Sequence, residues 1–541
     1  MQREWLRKRK SISLHEKGEK NKKGKAMQIS IPVREARINI KPVSMSLVHE
    51  YYFEGPCRFG RTEEQLSTEY DQMAARAKHK KMMDELNNNL PSELVNIMEP
   101  VYIEKNEEFF ADEKYLDLLR QDSDEVDLFW LNTTGLESLL DYYEKYDVKT
   151  PVAAMRSCCR NFQVTATFRA RGIESYGFLT WDEAIETISV LRARKVLRET
   201  KILLGVRNIP NHSATVLEGF LDNAKVTETL GCRFRYVNVH EILDQFERIP
   251  ADQNHTLPGR RELNITEEDD VEIKRIAEEL KAGAQFVKMP EQYVERSVDA
   301  YYVVQKLLAK YQCNAFTMPC ADVCATRRYN EEKLTMCLTH SLNNERGICS
   351  ACEFDIPCLI SMIMLASLSQ SAPYMGNTAM ATLAGQGGEI HHLIPEEEVR
   401  PLEEQIAAGH IGYTFHSVPN RKLHGFDSEA SAYGLRNFAA VQQFGATIRY
   451  DFKQDIDQTI TMCRIDPTCT KLMVARGTVV TGIGFDDVNC SEGVFFSVKN
   501  PEKFVNGCSW TGMHIPLVYG DVYDELIMLG NVLGLEVLET E

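Results

Sequence analysis

A chain of 541 residues with 43% apolar and 26% charged residues is too long for one hydrophobic core and has the composition of an ordinary globular protein, so two to four domains are expected. Its formal net charge of −17 is uneven: residues 1–26 carry ten Lys/Arg against three Glu, and the rest of the chain is acidic. An acidic body argues against nucleic-acid binding, which needs a positive surface, and no run of about 18 or more apolar residues is present to span a membrane.

The basic segment 1–26 reads as a disordered, polar extension ahead of Met27, and it lacks the apolar stretch of a secretory signal. The 15 cysteines, with Cys158 and Cys159 adjacent and others inside apolar runs, fit reduced thiols in a cytoplasmic protein. A Glu/Lys/Met/Ala-rich stretch over 62–90 predicts a helix. Strand-like and helix-like segments then alternate: a strand over Val126–Leu131, a helix over Leu136–Tyr146, a strand over Val152–Met155 and a helix over 181–197 after Thr180. Strands over Lys201–Val206 and Phe234–Val239 flank a helix at about 214–230. That alternation predicts parallel α/β layers. From about 410 short β-rich runs take over, at Ala446–Phe452, Gln458–Arg464, Lys471–Ala475, Val479–Phe485 and Gly493–Val498. They predict an antiparallel sheet or barrel, closed by a helix over Tyr523–Leu533.

Chemistry concentrates in two places. In Cys352-Glu353-Phe354-Asp355 a small-residue loop delivers two carboxylates just before a strongly apolar helix. An ionised Glu353 there calls for a cation or donor beside it, whereas Asp355 suits a helix N-cap. Far downstream, Gly512-Met513-His514-Ile515 precedes Val518-Tyr519-Gly520-Asp521. Both segments, with His416-Ser417-Val418-Pro419, resemble the metal-binding core of the L-fucose/L-arabinose isomerase superfamily. The likeness covers roughly residues 100–541 and is most specific in the last 200 or so.

The resemblance implies two Rossmann-like α/β domains (27–197 and 198–368, the second carrying Glu353) followed by a β-barrel-like domain (369–541) carrying His514. It implies a divalent cation, Mn²⁺ or else Mg²⁺, held by Glu353, Asn377 and His514, and a homo-trimer or homo-hexamer. Glu353 and His416 are the expected catalytic residues, and the substrate is a small polyketo or polyhydroxy compound. Two positions depart from the family pattern, which has a carboxylate where Asn377 stands and a histidine where Asn437 stands. A neutral amide can ligate but cannot take a proton. Losing one base disfavours aldose–ketose isomerisation through an enediol, the family's usual reaction on sugars such as L-fucose or L-arabinose. Hydrolytic ring opening of a cyclic 1,3-diketone such as dihydrophloroglucinol, giving an open-chain keto acid, needs only one base and a Lewis acid.

Other residues admit two readings each. Arg58, Asn437 and Trp510 are candidate substrate-binding residues. Arg58 lies in an aromatic, turn-rich segment that fits a domain seam equally well, and Trp510 is either a pocket wall or ordinary aromatic packing. At most one of His391 and His392 can face a pocket. Cys349-x-x-Cys352 has redox or metal spacing but no second pair, and Gly385–Gly388 is only a turn.

Overall fold

The described residues of the computed structural model are 27–55, 58–105, 113–133, 137–155, 159–207, 219–248, 263–382 and 400–541. The basic segment 1–26, Cys158, the first part of the helix expected at 214–230, Gly385–Gly388 and His391-His392 lie outside them. No helix among the described residues is long and apolar enough to cross a membrane.

The first sheet is wholly parallel. Its strands are β1 (Ile38–Leu47), β2 (Val95–Ile97), β3 (Val101–Lys105), β4 (Leu128–Thr133), β5 (Val152–Met155) and β6 (Ser175–Phe178). β2 and β3 pair in succession with one edge of β1, and β4, β5 and β6 follow on its other side. The helix over Trp181–Glu199 begins at a capping box, with Thr180 and Glu183 each accepting from the other's backbone. The helix expected over 62–90 runs from Thr68 to Asn89. It starts later because Ser67 caps it, accepting from Tyr70 N at 3.2 Å, after a 3₁₀ turn over Glu63–Leu66.

A second parallel sheet contains β7 (Lys201–Val206) and β8 (Arg233–Asn238), then β10 (Ala315–Thr317) and β11 (Ser350–Ala351), in the order β11-β10-β7-β8. Between them in sequence, β9 (Val287–Lys288) joins a small separate sheet with β14 (Gly434–Asn437) and β15 (Ala446–Arg449).

The third large sheet is antiparallel apart from its last strand. β12 (Asn377–Met380), β13 (Ile411–Phe415), β16 (Thr459–Ile465), β17 (Lys471–Ile483), β18 (Gly493–Val498) and β19 (Leu517–Tyr519) stand in the order β12-β13-β18-β17-β16-β19, and β20 (Glu536–Glu539) lies parallel to β17. The two strands expected over Lys471–Ala475 and Val479–Phe485 are therefore one, with a bulge between Val479 and Thr481. Gly477 is no turn: a Cβ there would meet Ser497 O at 3.0 Å, so this glycine lets two strands approach. The ladder does not close into a barrel among the described residues. Its outer ends are tied only by isolated bridges, Tyr374 to Leu517 and Asn377 to His514. The fold is thus mixed α/β, with parallel sheets and a separate antiparallel one.

Between the second and third sheets runs the helix Ile356–Ser369, apolar on every side and buried along almost its whole length. It packs on the helix Trp181–Glu199, on β16 and on β11. Buried Arg192 ties the end of this helix to the segment just before β1, donating to Ser367 O at 3.0 Å and to Val33 O and Ala36 O. Cations at a helix C-terminus also suit its dipole. The first residues of this rigid helix are where the candidate site begins.

Candidate metal centre

Glu353 sits in the turn between β11 and the helix Ile356–Ser369, and both Glu353 and Phe354 have positive φ, 60° and 64°. Each left-handed residue with a Cβ costs roughly 1–2 kcal/mol, so surrounding structure must hold this turn. Asp355 follows as the N-cap, its Oδ1 accepting from Cys358 N at 2.7 Å.

His416 comes directly after β13. Its N–H donates to Glu492 O at 2.8 Å, and the buried Tyr374 hydroxyl donates to its carbonyl at 3.0 Å. Asn377 opens β12 and is the bridge partner of His514. Residues directly opposed on antiparallel strands have neighbouring Cβ atoms, so this bridge sets the amide against the imidazole. Just before Asn377, Gly376 lets the chain lie close against the end of β13, because a Cβ there would lie 2.7 Å from the Phe415 carbonyl.

The side chains converge. Glu353 Oε1 is 3.3 Å from His416 Nε2 and Glu353 Oε2 is 3.5 Å from His514 Nε2. Asn377 Oδ1 is 2.8 Å from His514 Nε2. The ligand atoms of Glu353, His416 and His514 all lie within 4.8 Å of one another. A small divalent cation about 2.1 Å from each of two neighbouring donors holds those donors about 3 Å apart, so the spacing fits a metal ion. Both histidines are buried, while the Glu353 side chain is 23% exposed and gives the centre its opening.

The hydrogen bonds divide the histidines' roles. Ionised Asp355 can only accept, so His514 Nδ1 donates to its Oδ2 at 2.9 Å and the lone pair of the neutral ring is left on Nε2. That lone pair faces the Asn377 oxygen. A proton or a metal ion placed between these two atoms would join them. His416 is set the other way: Ser417 N donates to its Nδ1 at 3.1 Å, so the neutral ring carries its proton on Nε2 and donates to Glu353. His514 is therefore the better ligand and His416 the better proton donor.

The charges support this division. The His416 hydrogen bond holds Glu353 below the usual carboxylate range, against the effect of burial. Burial pushes Asp355 up, but the Arg464 guanidinium and His514 outweigh it and leave it lowered. Burial likewise opposes charge on His514, yet Asp355 raises its pKa. Oxygen and imidazole donors without thiolate suit a hard or borderline divalent cation.

Glu353, His416, Asn377 and His514 are thus brought together as the sequence predicts. The three substrate-binding candidates are not. Trp510 is 54% exposed on the helix Pro501–Thr511 and stacks under Lys471 Nζ, 4.9 Å from its ring, which corrects the pocket-wall reading. Arg58 is buried and spends its guanidinium on Asp71 Oδ2 (3.0 Å), Leu66 O and Ser67 O. Asn437 lies in β14 and donates to Ala439 O at 2.8 Å, again without a contact to the centre.

Two residues beyond the sequence prediction complete the site. Asp355 orients His514 as well as capping the helix. Arg464 donates to Asp355 Oδ2 (2.9 Å), to His514 O (2.7 Å) and to Thr511 O (2.5 Å). A single arginine in the otherwise uncharged run Thr459–Ile465 was the available signal, since such a charge is buried only with a partner. Gly512, with φ of 105°, leaves room for that guanidinium: a Cβ there would meet Arg464 Nε at 3.1 Å. No protein-family model matches the chain, and a search among curated proteins finds none similar to it.

Proposed function

We propose that the protein is a divalent-metal-dependent hydrolase that opens a cyclic 1,3-diketone such as dihydrophloroglucinol by C–C cleavage, giving an open-chain keto acid. Mn²⁺ is the preferred cation and Mg²⁺ the alternative. One observation carries the reading. Among the described residues, the centre offers one ionisable carboxylate to substrate, Glu353, hydrogen-bonded to His416; Asp355 is fully buried on His514 Nδ1, and a neutral amide, Asn377, stands beside His514. The likeness of the 352–355, 416–419 and 512–521 segments to the L-fucose/L-arabinose isomerase superfamily supports a site suited to an enediolate-like or enolate-like species.

A cation bound by Glu353, Asn377 and His514 would supply Lewis acidity at a substrate carbonyl oxygen. Glu353 takes a proton as water oxygen bonds to that carbonyl carbon. The ring C–C bond then breaks, and its electron pair passes to the carbon flanked by the second ketone as an enolate. His416 Nε2–H delivers a proton to this carbon, and the proton on Glu353 returns to His416 across the 3.3 Å contact. Water has then been divided between the new carboxylic acid and the new C–H bond. Asp355 and Arg464 hold His514 in place throughout.

The second reading is aldose–ketose isomerisation of a sugar such as L-fucose or L-arabinose. It is favoured by the Asn377 oxygen, which faces His514 as a carboxylate oxygen could. The test is NMR in D₂O with Mn²⁺-loaded enzyme, on dihydrophloroglucinol and a panel of aldoses in parallel. An open-chain keto acid carrying deuterium at the released carbon is expected. A ketose with deuterium at C1 or C2, and untouched diketone, would replace the hydrolase with the isomerase.

A further inference from the structure

Sulfur lies directly behind the centre. Cys352 immediately precedes Glu353, and its N–H points at Met375 Sδ, 3.2 Å away and two residues before Asn377. Cys352 Sγ is also 3.6 Å from Cys320 Sγ. Topology explains the meeting. β10 and β11 are parallel neighbours with Thr317 opposite Ala351, and both cysteines follow the carboxyl ends of these strands. Cys352 is buried whereas Cys320 is partly exposed, so Cys320 is the residue of the pair nearer to solvent and to a small oxidant.

We propose that Cys320 and Cys352 form a reversible disulfide under peroxide, and that closing it displaces Glu353 and weakens cation binding. The second half rests on the metal reading above; the first does not. Cys320 thiolate attacks one oxygen of hydrogen peroxide, breaking the O–O bond, releasing hydroxide and leaving a sulfenic acid on Cys320. Cys352 sulfur then attacks Cys320 sulfur and expels the second hydroxide, and the two thiol protons turn both hydroxides into water. Two thiols have lost two electrons and the peroxide has gained them.

The geometric consequence follows from the bond length. A disulfide needs its sulfurs about 2.05 Å apart, so the pair must close by about 1.5 Å. Cys352 is joined by one peptide bond to Glu353, in a turn already held at positive φ over two residues. Whatever part of the movement reaches the Cys352 backbone is passed directly into that turn, and the Glu353 carboxylate shifts with it. Reduction reopens the pair and restores the turn. The deeper sulfurs of Met375 and Cys358, 3.9 Å apart, are part of the buried packing and take no part in the reaction.

The test treats metal-free full-length protein with hydrogen peroxide, removes the peroxide and maps peptides by mass spectrometry without reductant. A Cys320–Cys352 linked peptide, lighter by two hydrogen atoms and split by a dithiol, is expected. The linked protein should bind Mn²⁺ about tenfold more weakly or worse by titration, with recovery after reduction. Cys320→Ser should abolish both effects, and Cys324→Ser should keep the link, which guards against a Cys320 variant that fails to fold. Oxidation that stops at sulfenic or sulfinic acid, or that links other cysteines, overturns the disulfide. A link with unchanged Mn²⁺ binding overturns its coupling to Glu353. Failure of the fully reduced protein to bind Mn²⁺ would instead overturn the metal reading, and the linked peptide would still decide the disulfide.

Discussion

Asp355 Oδ2 accepts from His514 Nδ1 and from Arg464 Nη2, each at 2.9 Å, while its Oδ1 caps the helix behind Glu353. One fully buried carboxylate therefore joins the turn carrying Glu353 to the segment carrying His514, 159 residues away in sequence. It fixes the tautomer that aims His514 Nε2 inward, and it neutralises a guanidinium that would otherwise be buried alone.

Asp355→Asn separates those two duties. The amide keeps the shape but not the charge, so Mn²⁺ affinity should fall about 10–100-fold. Stability should drop by about 3–5 kcal/mol, because Arg464 loses its counter-charge. Adding Arg464→Met should recover part of the stability and none of the affinity. Urea unfolding and Mn²⁺ titration of the single and double variants measure this, and an unchanged affinity in Asp355→Asn would remove the carboxylate from the metal-orienting role.

The two histidines should respond differently to truncation. His514→Ala removes a ligand, so bound metal and activity should disappear together, as they should in Glu353→Gln. His416→Gln leaves Glu353, Asn377 and His514 in place. It should retain Mn²⁺ within about tenfold while losing about 10²–10⁴-fold in turnover, the usual range for a proton-transfer residue. Equal loss of metal in both histidine variants would make His416 a ligand.

Much of this centre was legible because its ligands carry local signals. Glu353 follows a run of small residues and precedes an unbroken apolar helix, and His514 stands in a short Gly-led segment before a Tyr-Gly-Asp turn. What sequence could not supply was register. The isolated bridge that puts Asn377 opposite His514 depends on how two distant strand ends meet, and the Asp355–Arg464 pair joins residues 109 positions apart. Trp510 misled for the same reason. Its spacing from His514 places it near in sequence, but the helix Pro501–Thr511 turns that face outward, where Lys471 covers it. The barrel expectation held only for antiparallel pairing: the ladder stays open, and the run expected over Ala446–Phe452 lies in the small separate sheet as β15, beside β14 and β9. It did not foresee that Gly477 would carry β17 straight through a presumed turn.

Asn377→Asp places a second carboxylate opposite His514. The added charge should tighten Mn²⁺ binding, because an anionic oxygen replaces a neutral one at 2.8 Å from the imidazole. It should also slow ring opening by drawing the cation's charge away from the substrate carbonyl. Titration and turnover on the diketone measure the pair of effects. If the variant instead gains ketol isomerisation of an aldose, Asn377 marks a lost sugar-isomerase base.

Close to the centre, His340 makes the fold itself sensitive to acid. Its Nδ1 lies 2.7 Å from Ser350 Oγ, its ring stacks on Phe316, and its buried Nε2 has no hydrogen-bond partner among the described residues. Burial, with the nearby His416, lowers its pKa to about 3 from an ordinary 6.5. Below pH 6.5 the unfolded chain binds a proton here that the folded chain refuses. The stability present above pH 6.5 is therefore lost as pH falls towards 3, at roughly 1.4 kcal/mol per pH unit from this group. His340→Gln cannot titrate and should lack that increment. Urea unfolding of both proteins at pH 7.5, 6 and 5 checks it, through the difference between their slopes rather than either slope alone. Parallel slopes would mean that His340 is protonated in the folded protein, and that its Nε2 has found an acceptor.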